Sequence, residues 1–227
     1  MENENPIVIV TGASYGVGKS TAKLLSESGY HVIGIARDID QLNTIKNENI
    51  EVYAVDITKA DQVYDFCQNL TGRNIVALVN NAGGGFNLPN SILDDDIENW
   101  TKAFDLNVIG AVNLTKQIAP IMISNGGGNV VLITSMAGHY VYRGGSSYTV
   151  AKHAEVALAE ILRFELFQSN IRVTEIAPGN IDSRGDRGGI NSLTPEDVAD
   201  AIKWSITVPK HVNVEHISIL HVNNLSR

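Results

Sequence analysis

One cysteine, Cys67, stands in a chain of 227 residues. A single thiol excludes any intrachain disulfide, a pattern that suits a reducing compartment. Basic charge is also scarce: 17 Lys and Arg against 25 Asp and Glu leave a net charge of −8. A surface of that sign repels phosphate backbones, so nucleic acid is not an expected partner. No apolar run reaches the length that spans a bilayer, so no membrane association is expected. The opening Met1-Glu-Asn-Glu-Asn has neither the basic start nor the apolar stretch of a secretory signal. The six histidines are scattered and no His/Cys cluster has ligand spacing, so no metal is expected. Together these absences imply a cytoplasmic protein, and the length fits one domain over residues 1–227 with a sizeable core.

What is present alternates. Apolar runs at 7–10, 31–36, 51–55, 75–79, 129–134, 172–176 and 216–221 read as strands. Between them, helical patterns fill 19–28, 60–70, 97–123, 148–168 and 195–206. Near-continuous apolar strands separated by helices imply a mainly parallel, seven-stranded sheet covered on both faces. Right-handed crossovers make this a doubly wound α/β fold of Rossmann type, with its ligand across the carboxyl ends of the strands.

The first strand runs into Thr11-Gly-Ala-Ser-Tyr-Gly-Val-Gly18 and then a helical pattern. Glycines at Gly12, Gly16 and Gly18 permit a tight turn and close backbone approach to a pyrophosphate. The helix that follows turns unpaired N–H groups and a positive dipole end toward the phosphates. The spacing is Gly-x-x-x-Gly-x-Gly, and Gly12 lies one residue too far from Gly18-Lys-Ser for a P-loop.

Tyr148 and Lys152 are four residues apart, one face of a helix, thirteen residues beyond Ser135 at a strand end. A cation beside a phenol favours phenolate. Bringing a tyrosine from its reference near 10 to neutrality takes about three units, roughly 4 kcal/mol of differential stabilisation. Such a tyrosine exchanges a proton with a carbonyl or alcohol oxygen near pH 7.

The set Thr11-Gly-Ala-Ser-Tyr-Gly-Val-Gly, Asp56-Ile, Asn80-Asn-Ala-Gly, Asn107, Ser135, Tyr148-x-x-x-Lys152 and Pro178-Gly occurs in one order. In that order it resembles the short-chain dehydrogenase/reductase family over nearly the whole chain. The tail from Leu193 through Val214 further resembles the NADP-dependent 3-hydroxy acid (serine-type) dehydrogenase branch. The resemblance implies Asn107, Ser135, Tyr148 and Lys152 as catalytic residues. It also implies a cofactor site of Gly12, Ser14, Tyr15, Gly16, Val17, Gly18, Arg37, Asp56, Ile57, Asn80, Ala82, Gly83, Tyr148, Lys152, Pro178, Gly179, Ile181 and Ser183. In that reading Asn107 holds a water of a proton relay, Asp56 meets the adenine edge, and Ser183 stands where threonine is usual.

Cofactor choice turns on the end of the second strand, where Ala36 replaces the acidic residue that would bind a ribose 2′-hydroxyl. Arg37 follows, and a guanidinium suits a 2′-phosphate, so NADP(H) is expected over NAD(H). Two features weigh against: Tyr15 stands where much of the family has a basic residue, and Asp38 is adjacent. The substrate is expected to be a small carbonyl or alcohol, with 3-hydroxy or β-keto acids as one class. Arg143, Arg184 and Arg187 are candidate partners for its carboxylate, the last two on a short glycine-rich loop at about 183–194. Two other classes stay open: an NADP(H)-sensing protein without turnover, and a ketone or quinone reductase of broad specificity. Family resemblance also implies a homodimer or homotetramer.

Overall fold

The computed structural model describes residues 5–85, 91–183 and 191–224. Seven strands form its centre: β1 (Ile7–Thr11), β2 (His31–Ala36), β3 (Ile50–Ala54), β4 (Ile75–Asn80), β5 (Gly128–Ile133), β6 (Ile171–Pro178) and β7 (His216–Ile219). Their order is β3-β2-β1-β4-β5-β6-β7, and every pairing is parallel. β1 is buried at every position, as a strand covered on both faces must be. The order reverses direction between β1 and β4, which opens a crevice at their carboxyl ends.

Each face carries its own apolar cluster. Ile9, Ile33, Leu78 and Leu132 pack with Leu114, Ile118 and Met122 of helix α5 (Gly110–Ser124). On the other face, Val8, Val10, Val79 and Val131 meet Val17 and Leu25 of α1 (Gly16–Glu27) and Val198 and Ile202 of α7 (Pro195–Thr207). Alternate residues of one strand feed the two clusters, as period-two side-chain geometry requires. Thr194 and Asp197 close a capping box ahead of α7, with Pro195 in its first turn.

The remaining helices are α2 (Ile39–Asn43), α3 (Ala60–Gln68), α4 (Ile97–Phe104) and α6 (Ser146–Leu166). The sequence pattern gives no sign of α2. Its cap explains it: the Asp38 carboxylate accepts from the Gln41 amide at 3.0 Å. The expected single helix over 97–123 is interrupted, with a π-helical turn, Asp105–Ile109, between α4 and α5. The Gly110 amide bonds back to the Asp105 carbonyl, an i→i+5 bond that winds in one extra residue. The stretch Ile97–Ser124 is long and apolar enough to cross a membrane, but Leu114, Ile118 and Met122 bury its apolar face in the core.

Candidate active site

The glycine turn between β1 and α1 is built from strained backbone that only glycine adopts freely. Gly12 has φ +66° and Gly16 φ +57°. Gly18 has no room for a side chain, because a Cβ there would lie 2.2 Å from the Gly12 carbonyl oxygen. No side chain caps the first turn of α1, which leaves its amides directed outward. From the other side, Asn81 clasps the turn: its amide donates to Thr11 Oγ1 at 2.9 Å and its Nδ2 to the Thr11 carbonyl at 2.8 Å.

Beside the turn lies a cleft of about 700 Å³. Tyr15, Gly16, Val17, Ala82, Gly83, Ser135, Tyr148, Lys152, Pro178, Gly179, Ile181 and Ser183 all line it. A larger hollow of about 1340 Å³ lies at the opposite, amino ends of β4, β5 and β6. It has neither the glycine turn nor the Tyr148–Lys152 pair. A doubly wound sheet binds its ligands at the carboxyl ends, so the smaller cleft is the candidate site.

Ser135 follows β5 and caps a short 3-10 turn, its Oγ accepting from the Ala137 amide at 3.1 Å. Tyr148 lies in the first turn of α6, and the Lys152 ammonium sits 5.8 Å from the centre of its ring. The start of α6 is pinned by Asp95, whose carboxylate accepts from the Ser147 amide at 3.1 Å and from Asn99 Nδ2 at 2.5 Å. Lys152 is buried and donates to the Ile133 carbonyl at 3.1 Å. Asn107 is fully buried in the π turn. Its Nδ2 donates to the Ala103 and Gly84 carbonyls at 2.7 and 3.0 Å, and its Oδ1 accepts from the Gly84 amide at 3.0 Å. Gly83 lies between the two: a Cβ on it would stand 2.8 Å from Asn107 Oδ1 and 3.0 Å from Lys152 Nζ.

A sequence profile of the short chain dehydrogenase family matches residues 6–188. An uncharacterized oxidoreductase of Mycobacterium tuberculosis is 37% identical over 94% of this chain and 90% of its own. The structure of a serine dehydrogenase from Escherichia coli superposes with TM-score 0.88 at 31% identity, covering 96% of this chain and 98% of that one. An alcohol dehydrogenase from Thermococcus sibiricus complexed with 5-hydroxy-NADP gives TM-score 0.88 at 26% identity, covering 96% of this chain and 97% of the other. The chain belongs to the short-chain dehydrogenase family.

Several expected site residues of this short-chain dehydrogenase stand apart from the cleft. The Asn80 side chain is buried and donates to Thr115 Oγ1 at 3.2 Å, so it braces β4 against α5. Ile57 is core, facing the place where a side chain on Gly110 would be. The Asp56 carboxylate accepts from the Thr58 amide and hydroxyl at 3.0 and 2.8 Å. Arg37 is exposed at the end of β2, and Asp38 is occupied by its cap on α2. Arg143 is exposed and does not line the cleft; Tyr140 and Tyr142, its neighbours along the chain, do. Arg184 and Arg187 lie outside the described residues. His153 bonds the Thr149 carbonyl of its own helix at 2.9 Å, a structural role.

Three residues, Thr11, Asn81 and Glu155, have no role assigned from the sequence. For Thr11 and Asn81 the signal is a polar pair at the ends of two adjacent strands. Glu155 is more conspicuous. It follows Lys152 on the buried stripe of α6, where helical periodicity asks for an apolar residue. Its Oε2 lies 2.5 Å from the Lys152 ammonium. Burial raises the Glu155 carboxyl well above the usual range, against the pull of Lys152. Burial works against the Lys152 charge too, but the charges of Glu155 and Tyr148 outweigh it and hold the ammonium above its ordinary value.

The fold also gathers two histidines that the sequence scatters. Buried Glu175 of β6 accepts from Thr134 and meets His139 Nε2 at 2.8 Å and His216 Nδ1 at 2.6 Å. Burial pushes its carboxyl up, but the three hydrogen bonds outweigh it and hold the group below the usual range. The three ligand atoms lie within 4.8 Å of one another, and both histidine–carboxylate contacts are at hydrogen-bond length. As arranged, the cluster is a hydrogen-bonded triad.

Proposed function

We propose that this short-chain dehydrogenase is an NADP(H)-dependent oxidoreductase acting reversibly on a small carbonyl or secondary alcohol, with β-keto and 3-hydroxy acids the first class to test. The observation that carries the reading is the meeting of Ser135, Tyr148 and Lys152 in one cleft with the glycine turn, with Asn107 a glycine away.

The chain fits a dinucleotide on its own geometry. Tyr15, Gly16 and Val17 line the cleft at the uncapped start of a helix, and Ser14 sits in the same turn, whose close packing at Gly12, Gly16 and Gly18 leaves little room for side chains. Arg37 would take a 2′-phosphate, while the Asp38 carboxylate is held in its cap on α2. Asp56 and Ala82 would border the nucleoside; Asn80 and Ile57, with side chains turned into the core, would offer backbone only. Gly83, Pro178, Gly179, Ile181 and Ser183 would flank the nicotinamide, Ser183 packing over Gly16. The serine dehydrogenase complexed with NADP+ (29% identity, TM-score 0.90) supports this cofactor.

When bound, the cofactor supplies or accepts the hydride. The residues of the chain handle the proton. Tyr148 gives its hydroxyl proton to the oxygen of a reduced carbonyl, or takes it from an alcohol. Ser135 Oγ accepts from the Ala137 amide, which leaves its own proton to donate to the same oxygen. Lys152, fixed by Ile133 and Glu155, presents a positive charge to the phenol. Asn107 locks the Gly83–Gly84 segment against Lys152. Outside the cleft, Ile97, Ile109, Val150, Ile161 and Phe164 expose apolar surface on α4, the π turn and α6. We read this face as the contact of a homodimer or homotetramer.

Absorbance at the reduced-nicotinamide band, followed with NADPH and a panel of ketones, β-keto acids and quinones, tests the reading. Turnover with at least one carbonyl, reduced about 10²–10⁴-fold in Tyr148→Phe, is the expected result. Tight NADPH binding without turnover would leave a sensing protein instead.

A further inference from the structure

Glu155 is the group the reaction does not call for. Tyr148, Lys152 and Glu155 share one face of α6, and the carboxylate lies on the ammonium at 2.5 Å. Both charged side chains are about 97% buried, at 3% exposure each. Oε2 has no aligned hydrogen bond despite that distance, so the pair meets as charges held by the fold. An isolated Lys152 ammonium, 5.8 Å from the ring centre, would bear on the phenol with its full charge. Unit charges about 6 Å apart, at an effective dielectric of about 20, shift a titration by about two pH units. A carboxylate on the same ammonium opposes that effect, because the phenol then faces an ion pair.

We propose that Glu155 is a positioning residue that holds Lys152 in the cleft and, by laying a carboxylate on its ammonium, weakens the charge that Lys152 presents to the Tyr148 phenol, which favours carbonyl reduction. This rests on the reading of the cleft as an oxidoreductase site and gives it a direction. The groups facing the pair are few. Tyr148 lies on the same helix, and from β6 the charge of Glu175 bears on Glu155. Glu175 is itself engaged by Thr134, His139 and His216. Asn107 and the Ile133 carbonyl are the neutral polar neighbours of Lys152. Because burial favours the neutral acid, the offset switches on as pH rises through the Glu155 ionisation.

The test needs neither cofactor nor substrate. Tyrosinate absorbance is titrated in the cofactor-free protein, and the curve of Tyr148→Phe is subtracted to isolate one phenol. Glu155→Gln should move that midpoint down by about one to two pH units. Glu155→Asp, which keeps the charge, should stay near the parent. If Glu155→Gln fails to fold, Glu155→Leu, the kind of side chain a buried stripe ordinarily carries, must give the same downward shift. In turnover, the alkaline limb of NADPH-dependent reduction should move with the midpoint. An unchanged or raised midpoint in the folded neutral variant overturns the proposal. A lowered midpoint in a protein that reduces no carbonyl would sink the oxidoreductase reading and leave the charge offset standing.

Discussion

Gly83 and Gly84 are neighbours in sequence with opposite tolerances, and alanine at each separates them. A methyl on Gly83 would sit 2.8 Å from Asn107 Oδ1 and 3.0 Å from Lys152 Nζ; one on Gly84 meets nothing within 4 Å. Neither obstacle is a free chain end. Asn107 is fully buried with both ends of its amide engaged, and Lys152 is fixed by Ile133 and Glu155. Relief therefore requires moving a tied group, and overpacking of this kind costs about 1–3 kcal/mol. Hydrogen bonds to charged groups contribute about 1.5–3 kcal/mol each, so displacing the ammonium should lower turnover by about 10–100-fold. Urea denaturation of the cofactor-free variants reads the first number, and kcat with the best carbonyl from the panel reads the second. Gly83→Ala should lose on both, while Gly84→Ala should keep the parental midpoint in urea. Equal stabilities for the two variants, or parental kcat in Gly83→Ala, would refute the packing argument.

Arg37→Ala should weaken NADPH binding by about 10–100-fold and leave NADH binding nearly unchanged, read by fluorescence titration with each cofactor. Glu51 supplies a pH-dependent stability term. Hydrogen bonds from Arg73, against a smaller opposing effect of burial, hold its carboxyl at about 2, down from 4.5. With the folded value below the unfolded one, the contribution is complete above about pH 5 and fades as pH falls from 4.5 toward about 2. The side chain is 34% exposed, so solvent screening reduces the gain to about 1–2 kcal/mol. Glu51→Gln should lose that amount in urea at pH 7 and little at pH 2.5. Phe164→Glu, on the exposed face of α6, should shift sedimentation toward the monomer without lowering NADPH affinity.

The sheet was legible because its inner strands are covered on both faces and therefore apolar nearly throughout; the expected and observed strands differ by a residue or two at their ends. Helix starts were less so. α1 begins at Gly16, inside what reads as the turn, because glycine serves equally in a loop and in a first helical turn. The π turn gives no periodic signal, since one extra residue is lost within the long apolar pattern around it. In the site, Tyr148 and Lys152 stood out because the two share a helix face, and the accompanying motifs and family resemblance joined Ser135 to them; all three line one cleft. Asn80 and Ile57 were assigned from their place in a motif, and only packing shows their side chains turned inward. Glu155 was readable in principle as a charge on a buried stripe, but exposure is what gives such a charge meaning.

The widened turn around Asn107 has a consequence for how this chain can change over generations. Deleting one residue between 105 and 109 would restore an ordinary α-helix there, and later residues would rotate by about 100° relative to earlier ones. The amide that now grips the Gly84 backbone would swing away from it. A shorter, more regular helix would then come with a dismantled cleft, so any selection for thermal robustness alone pulls against activity at this spot.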